Sequence, residues 1–152
     1  MSTARTSEVR VGDQIPAVAF PLPVYRMVMA AGANRDFNSI HHNTAHARAT
    51  GAPDMYANTL FLMGMWERAA RDWAGPDGRF VAIRGFRMRS FNTAGSTATV
   101  RGRVTAVDER SGLVTLSLRT EDSDGATTVG PGEVDVRLPV SGRKAPHDSM
   151  RG

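Results

Sequence analysis

Residues 58–73 read NTLFLMGMWERAARDW, the longest stretch of the chain with a helical pattern. Its apolar side chains recur at spacings of three and four, as they do on the buried face of an amphipathic helix. Asn58 or Thr59 can cap the start, and Gly75-Pro76 can end it. Glu67 and Arg71 form an i,i+4 pair on the other face. The pattern predicts one long apolar helix that another layer of the protein must cover.

A sheet is predicted downstream, where the apolar period changes from about 3.6 to two. Residues 80–89 suit one strand, residues 97–106 a second with one wet face, and residues 114–119 and 134–138 two more. Turn-forming sequences separate them, so about four strands in an antiparallel meander are expected. Together with the helix, this order predicts an α+β fold.

Shorter elements are predicted before the long helix. Prolines at positions 16, 21 and 23 exclude a long helix there, so the segment up to Pro23 is expected to be extended. Short helices are expected over 24–33 and 44–50, with a polar, irregular loop over 34–43. The expected domain spans 11–140, between a flexible arm at 1–10 and a flexible tail at 141–152.

Composition excludes several classes of protein. The chain has 152 residues and no cysteine, so disulfides, thiolate metal sites and a cysteine nucleophile are excluded. No apolar run is long enough to span a membrane, and the first ten residues lack the apolar core of a signal peptide. A cytoplasmic location is therefore expected.

The basic residues favour a small anionic partner over nucleic acid. The net charge is +4, but the arginines are scattered, without a dense patch or interleaved aromatic residues. A phosphorylated small molecule needs only a few well-placed arginines.

Residues 34–43 carry the groups with the most chemical potential. Asp36, Asn38, His41 and His42 lie within this short loop. A carboxylate and an imidazole can flank one water molecule, so that one accepts its proton and the other orients it or returns a proton to the product. The start of the long helix offers free backbone N–H groups for a developing oxyanion. A metal is not expected, because His42 and His46, at i,i+4 spacing, lack a third ligand.

The same loop resembles the signature of the MaoC-like (R)-specific enoyl-CoA hydratases, Asp-x-Asn-Pro-Ile-His-x-Asp. Residues 36–43 read DFNSIHHN, so the family's Asp and His fall on Asp36 and His41, while Ser39 and Asn43 depart from it. The resemblance covers about residues 11–139. It implies a hot-dog fold, an antiparallel β-sheet wrapped around the long central α-helix, and hydration of a trans-2-enoyl-CoA to a 3-hydroxyacyl-CoA or the reverse.

The resemblance also implies roles for particular residues. Asp36 and His41 are the predicted catalytic pair, and the Thr59 N–H is the predicted donor to the thioester oxygen. Asn58-Thr59 stand where the family has His-Gly. Substrate-binding residues are expected among Asn38, Asn58, Arg84 and Arg87. From their positions in the sequence, the arginines would either contact CoA phosphates or lie on a solvated strand face. No cofactor is expected, because CoA is part of the substrate.

Within the family, the chain is similar to the small MaoC-like subunits of actinobacterial steroid side-chain hydratases. This similarity implies a bulky acyl chain and either a homodimer or a heteromer with a second MaoC-like subunit. Two alternatives stay open: a hot-dog thioesterase, and a non-catalytic subunit that completes a partner's pocket.

Overall fold

The computed structural model describes residue 4 and residues 6–140, which form one antiparallel sheet wrapped around one long helix. Three α-helices and five strands make up the domain, with two short 3-10 turns at Thr6–Glu8 and Ser39–His41. The helices are α1 (Val24–Ala33), α2 (Thr44–Ala49) and α3 (Thr59–Ala74). The strands are β1 (Gln14–Pro21), β2 (Arg79–Arg84), β3 (Thr97–Asp108), β4 (Leu113–Glu121) and β5 (Thr127–Arg137). The predicted α+β hot-dog fold is confirmed.

Helix α3 lies against the concave face of the sheet. The side of the helix that is buried differs in part from the one that the sequence pattern indicates. The helix begins and ends within one residue of its predicted limits. Its buried side includes Leu62, Met65 and Trp66, whereas Leu60 is 57% exposed. Because the helix is apolar on most sides, its sequence pattern does not specify which side the sheet covers. The Trp66 indole N–H donates to the Thr120 hydroxyl at 2.8 Å, which links α3 to β4.

The sheet has five strands in the order β1-β3-β4-β5-β2, so the predicted four-stranded meander is wrong. The additional strand, β1, is the proline-punctuated segment, which pairs with β3 at one edge. Proline is tolerated there because an edge strand leaves half of its backbone N–H groups unpaired. Strand β2 lies at the opposite edge and pairs with β5 rather than with β3.

Strand β2 ends at Arg84, five residues before the predicted end. Gly85 follows with φ of +64°, a conformation that favours glycine. At this point β5 passes unusually close, because a Cβ on Gly132 would lie only 2.7 Å from the Arg84 carbonyl oxygen. The regular strand therefore ends at Arg84, and the chain pairs with β5 again only at the isolated bridge between Met88 and Val129 before it runs on to β3.

The described part of the N-terminal arm is packed onto the domain. Thr6 is buried, and its hydroxyl donates to the Pro139 carbonyl at 3.0 Å. Ordered contacts thus begin before Val11, the expected start of the domain. The predicted tail over 141–152 lies outside the described residues. Within the described residues, no helix is long and apolar enough to cross a membrane.

Candidate active site

Asp36 is positioned by the C-terminal end of α1. The Asp36 N–H donates to the Ala31 carbonyl at 2.9 Å and the Arg35 N–H to the Gly32 carbonyl at 3.0 Å, the two hydrogen bonds of a Schellman motif. Arg35 occupies the left-handed position of that motif with φ of +55°, where glycine is usual. The motif reverses the chain immediately before Asp36 and leaves its side chain 36% exposed.

His41 lies at the end of the 3-10 turn Ser39–His41, and its ring orientation is fixed by backbone. Asn38 caps the turn, because its side-chain oxygen accepts from the Ile40 N–H at 3.2 Å. The His41 Nδ1 atom lies 2.7 Å from the Tyr56 carbonyl oxygen. A carbonyl oxygen can only accept, so Nδ1 donates to it, and the Nε2 side of the ring is turned away from Tyr56.

The two predicted catalytic side chains meet in the structure. His41 Nε2 lies 3.1 Å from Asp36 Oδ2, with the His41 side chain 7% exposed. Tyr56 packs its ring edge-on to the imidazole, with 5.5 Å between ring centroids. The buried imidazole is thus held in place by Tyr56, while the carboxylate beside it remains open to a small molecule.

The N-terminus of α3 adjoins this pair through the segment that leads into it. The Tyr56 N–H donates to the Ile40 carbonyl at 3.3 Å, so residues 56–58 dock directly on the 3-10 turn. Asn58 is buried and caps α3, accepting from the Phe61 N–H at 2.9 Å. Thr59 follows as the first helical residue, where a backbone N–H has no partner within its helix. In the part of the chain that the structure describes, that N–H makes no hydrogen bond.

Asn34 connects the two helix ends that carry the site. Its side-chain N–H₂ donates to the Asn58 side-chain oxygen at 3.4 Å. The Asn58 N–H₂ is itself buried, without a hydrogen-bond partner among the described residues. A buried donor of this kind is costly unless something else satisfies it. Asn58 therefore combines a capping role with an unused donor next to the candidate site.

The remaining predicted substrate-binding residues, Asn38, Arg84 and Arg87, make different kinds of contact in the structure. Asn38 uses its side-chain oxygen to cap the 3-10 turn. Arg84 is engaged by two carboxylates on the sheet, Asp135 and Glu133, which raise the pKa of its guanidinium. Arg87 is exposed, and its side chain makes no ion pair among residues 6–140. Binding of CoA phosphates by either arginine stays a prediction.

Tyr56 and Asn34 are the site residues that the sequence did not indicate. Tyr56 acts through its backbone carbonyl, and every residue type carries one. Asn34 looks like an ordinary helix-ending residue until α1 and α3 are seen side by side.

The loop after α2 is held by Asp54, which accepts from the Thr44 hydroxyl at 2.5 Å and the Met55 N–H at 2.7 Å. These hydrogen bonds hold the pKa of the Asp54 carboxyl below its usual value.

A hot-dog domain with a carboxylate and an imidazole beside the central helix start defines a class, the MaoC-like domains. No family model matches the chain. It is 34% identical over 111 residues to the 3-oxo-4,17-pregnadiene-20-carboxyl-CoA hydratase beta subunit of Mycobacterium tuberculosis. That match covers 73% of this chain and 84% of the relative. The chain therefore belongs to the MaoC-like hydratase family.

Solved structures agree with this assignment. The ChsH1-ChsH2 complex from Mycobacterium tuberculosis matches with a TM-score of 0.78 and 32% identity, over 86% of this chain and 98% of the matched chain. The (R)-hydratase from A. caviae involved in PHA biosynthesis gives a TM-score of 0.78 at 22% identity, over the same shares of the two chains. The second similarity is one of fold alone.

Proposed function

We propose that this protein is a subunit of an enoyl-CoA hydratase that adds water to a trans-2-enoyl-CoA thioester. The observation that carries the proposal is the 3.1 Å approach of His41 Nε2 to Asp36 Oδ2 beside the start of α3. The pair would hold one water molecule, accept a proton from it and direct its oxygen at C3. The π electrons would move toward the thioester oxygen, and C2 would receive a proton, giving a 3-hydroxyacyl-CoA.

The charge that develops on the thioester oxygen needs a donor, and the Thr59 N–H is the proposed one. It belongs to the first turn of a 16-residue helix, where the N–H groups and the helix dipole favour negative charge. Thr59 is exposed, so a substrate can reach its backbone. Its hydroxyl points to the Met88 sulfur at 3.4 Å, which leaves the N–H as the available donor of the residue.

The acyl group and the partner are proposed from the relatives. One relative is the beta subunit of a 3-oxo-4,17-pregnadiene-20-carboxyl-CoA hydratase. One similar structure is the ChsH1-ChsH2 complex, in which two different proteins are assembled. We therefore favour a bulky, ring-containing acyl group and a second MaoC-like subunit. Because that relative is one subunit of a hydratase, one alternative is also favoured: this chain is non-catalytic and completes the active site of the second subunit.

An absorbance assay tests the activity. The full chain, alone and with any subunit that copurifies, is mixed with crotonyl-CoA and with a ring-bearing trans-2-enoyl-CoA, and loss of the enoyl-thioester band is followed. Hydration removes the band without releasing a thiol, whereas a thioesterase releases free CoA. A band that persists in every mixture contradicts the proposal, and activity of the complex that survives Asp36→Asn supports the non-catalytic alternative.

A further inference from the structure

An apolar groove runs between α1 and α3, outside the space that the sheet covers. Its volume is about 380 Å³, and its walls include Ala30 and Ala33 of α1, Leu60 and Gly64 of α3, and Phe20 of β1. The pocket belongs to the surface of the described domain, and its lining is mostly apolar. An apolar groove of this size is large enough for a small organic group.

Gly64 forms part of this groove, and packing within the domain does not require a glycine there. It lies in the middle of α3, where glycine destabilises a helix relative to alanine. A Cβ built on Gly64 meets no atom within 4 Å. At Gly102, by contrast, a Cβ would lie 2.2 Å from the Leu118 side chain, so that glycine is explained by close packing. The space above Gly64 is therefore open to solvent, with room for a bound molecule.

The groove adjoins the candidate active site at Asn34. Asn34 belongs to its lining and donates to Asn58, the residue before Thr59. Asp36 follows Asn34 by two residues in the chain. A thioester whose carbonyl oxygen lies at the Thr59 N–H, with C3 near Asp36, would extend its acyl chain from C4 onward toward Leu60 and Gly64.

We propose that the groove between α1 and α3, with Gly64 in its wall, binds the part of the acyl group beyond C4. This inference rests on the proposed hydratase function, and it adds a determinant of acyl size. The apolar lining matches a hydrocarbon ring and offers little to the charged CoA portion, which must remain in solvent. A side chain at position 64 would then exclude ring-bearing acyl groups and still admit short ones.

Binding of two matched saturated ligands tests this assignment. Butyryl-CoA and 4-cyclohexylbutyryl-CoA are identical up to C4, and only the second carries a ring beyond it. Their dissociation constants are measured calorimetrically for the wild type, Gly64→Ala and Gly64→Leu, each as the full chain with any copurifying subunit. We expect Gly64→Leu to weaken the ring ligand at least tenfold and butyryl-CoA by less than twofold. Gly64→Ala should bind both ligands within about threefold of the wild type.

The contrary outcomes are distinct. Equal effects of Gly64→Leu on both ligands, or no effect on either, would overturn the assignment. A change of oligomeric state in Gly64→Leu, measured by light scattering, would instead mean that a protein partner fills the groove, and it would overturn the assignment too. If the ring ligand binds selectively but crotonyl-CoA is never hydrated, the groove stands and the proposed activity fails.

Discussion

Two pairs of ionisable side chains, Asp36–His41 and Asp135–Arg84, differ in how open their carboxylates are. Asp36 and His41 meet where two helix ends converge, with a buried imidazole and a carboxylate that stays partly open. Asp135, on β5, is 7% exposed and accepts from Arg84 and, at 2.9 Å, from the Thr115 hydroxyl. Its carboxylate oxygens are therefore used within the sheet. The Asp36 carboxylate thus keeps oxygen lone pairs that could accept from a bound molecule. The Asp135 carboxylate uses its lone pairs for hydrogen bonds within the fold.

The largest expected effect comes from breaking the first pair. Asp36→Asn and His41→Ala should each lower kcat for enoyl-CoA hydration by about 10²- to 10⁴-fold, the usual contribution of a general acid or base. Each variant should retain the far-ultraviolet circular dichroism spectrum of the wild type. Steady-state kinetics with crotonyl-CoA, alone and with a copurifying subunit, would measure the loss. A His41→Ala enzyme with wild-type kcat would remove His41 from the mechanism.

Breaking the second pair should affect stability instead. Asp135→Asn removes charge-assisted hydrogen bonds from a buried side chain, so the free energy of unfolding should fall by about 1–2 kcal/mol at pH 7. Hydration activity, measured well below the unfolding temperature, should stay within about twofold. Urea denaturation and the same kinetic assay provide the two readings, and a variant that lost activity but kept stability would reverse the comparison.

The pH dependence sharpens the same contrast. The hydrogen bonds from Arg84, followed by that from Thr115, hold the pKa of the Asp135 carboxyl below its usual value despite its burial. A depressed folded-state pKa means that the stabilisation is present above the unfolded-state pKa of about 4 and is lost as the pH falls through the folded-state pKa. Below about pH 4 the stability of Asp135→Asn should therefore approach that of the wild type. An equal gap at pH 7 and pH 3 would contradict this account.

A smaller effect is expected at the cap of α3. Asn58→Ala removes the acceptor of the Phe61 N–H and should cost about 1 kcal/mol of stability. Asn58→Ser keeps a capping oxygen and should recover most of it. Thermal unfolding of the two variants would compare them. Equal destabilisation by both would show that the cap is not the source of the effect.

The smallest effect is expected at Arg35. Its φ of +55° places a side chain in the left-handed region, so Arg35→Gly should raise the free energy of unfolding by about 0.5–1 kcal/mol. Arg35→Val, a β-branched residue in the same conformation, should lower it. Urea midpoints measure both changes. Stabilisation by valine would mean that the Schellman motif does not impose strain at this position.

Much of the fold could be predicted because the local signals were strong. Helix α1 occupies its predicted residues, and α3 lies within one residue of its predicted bounds, because apolar spacing and glycine or proline punctuation act over a few residues. The strand order was missed, because β1 and β3 are separated by about 75 residues and pairing at that range leaves no local pattern. The end of β2 was missed for the same reason, since it depends on the close approach of Gly132.

The sequence by itself determined which groups the candidate site contains: a carboxylate, an imidazole and a helix start, in an order that resembles the MaoC-like signature. Only the tertiary structure decided which atoms face each other. The Tyr56 carbonyl contacts His41 Nδ1 and so turns Nε2 toward Asp36, and Asn34 joins the ends of α1 and α3. Backbone acceptors and contacts between distant helix ends leave no mark in residue type, because they depend on how the packed core brings those segments together.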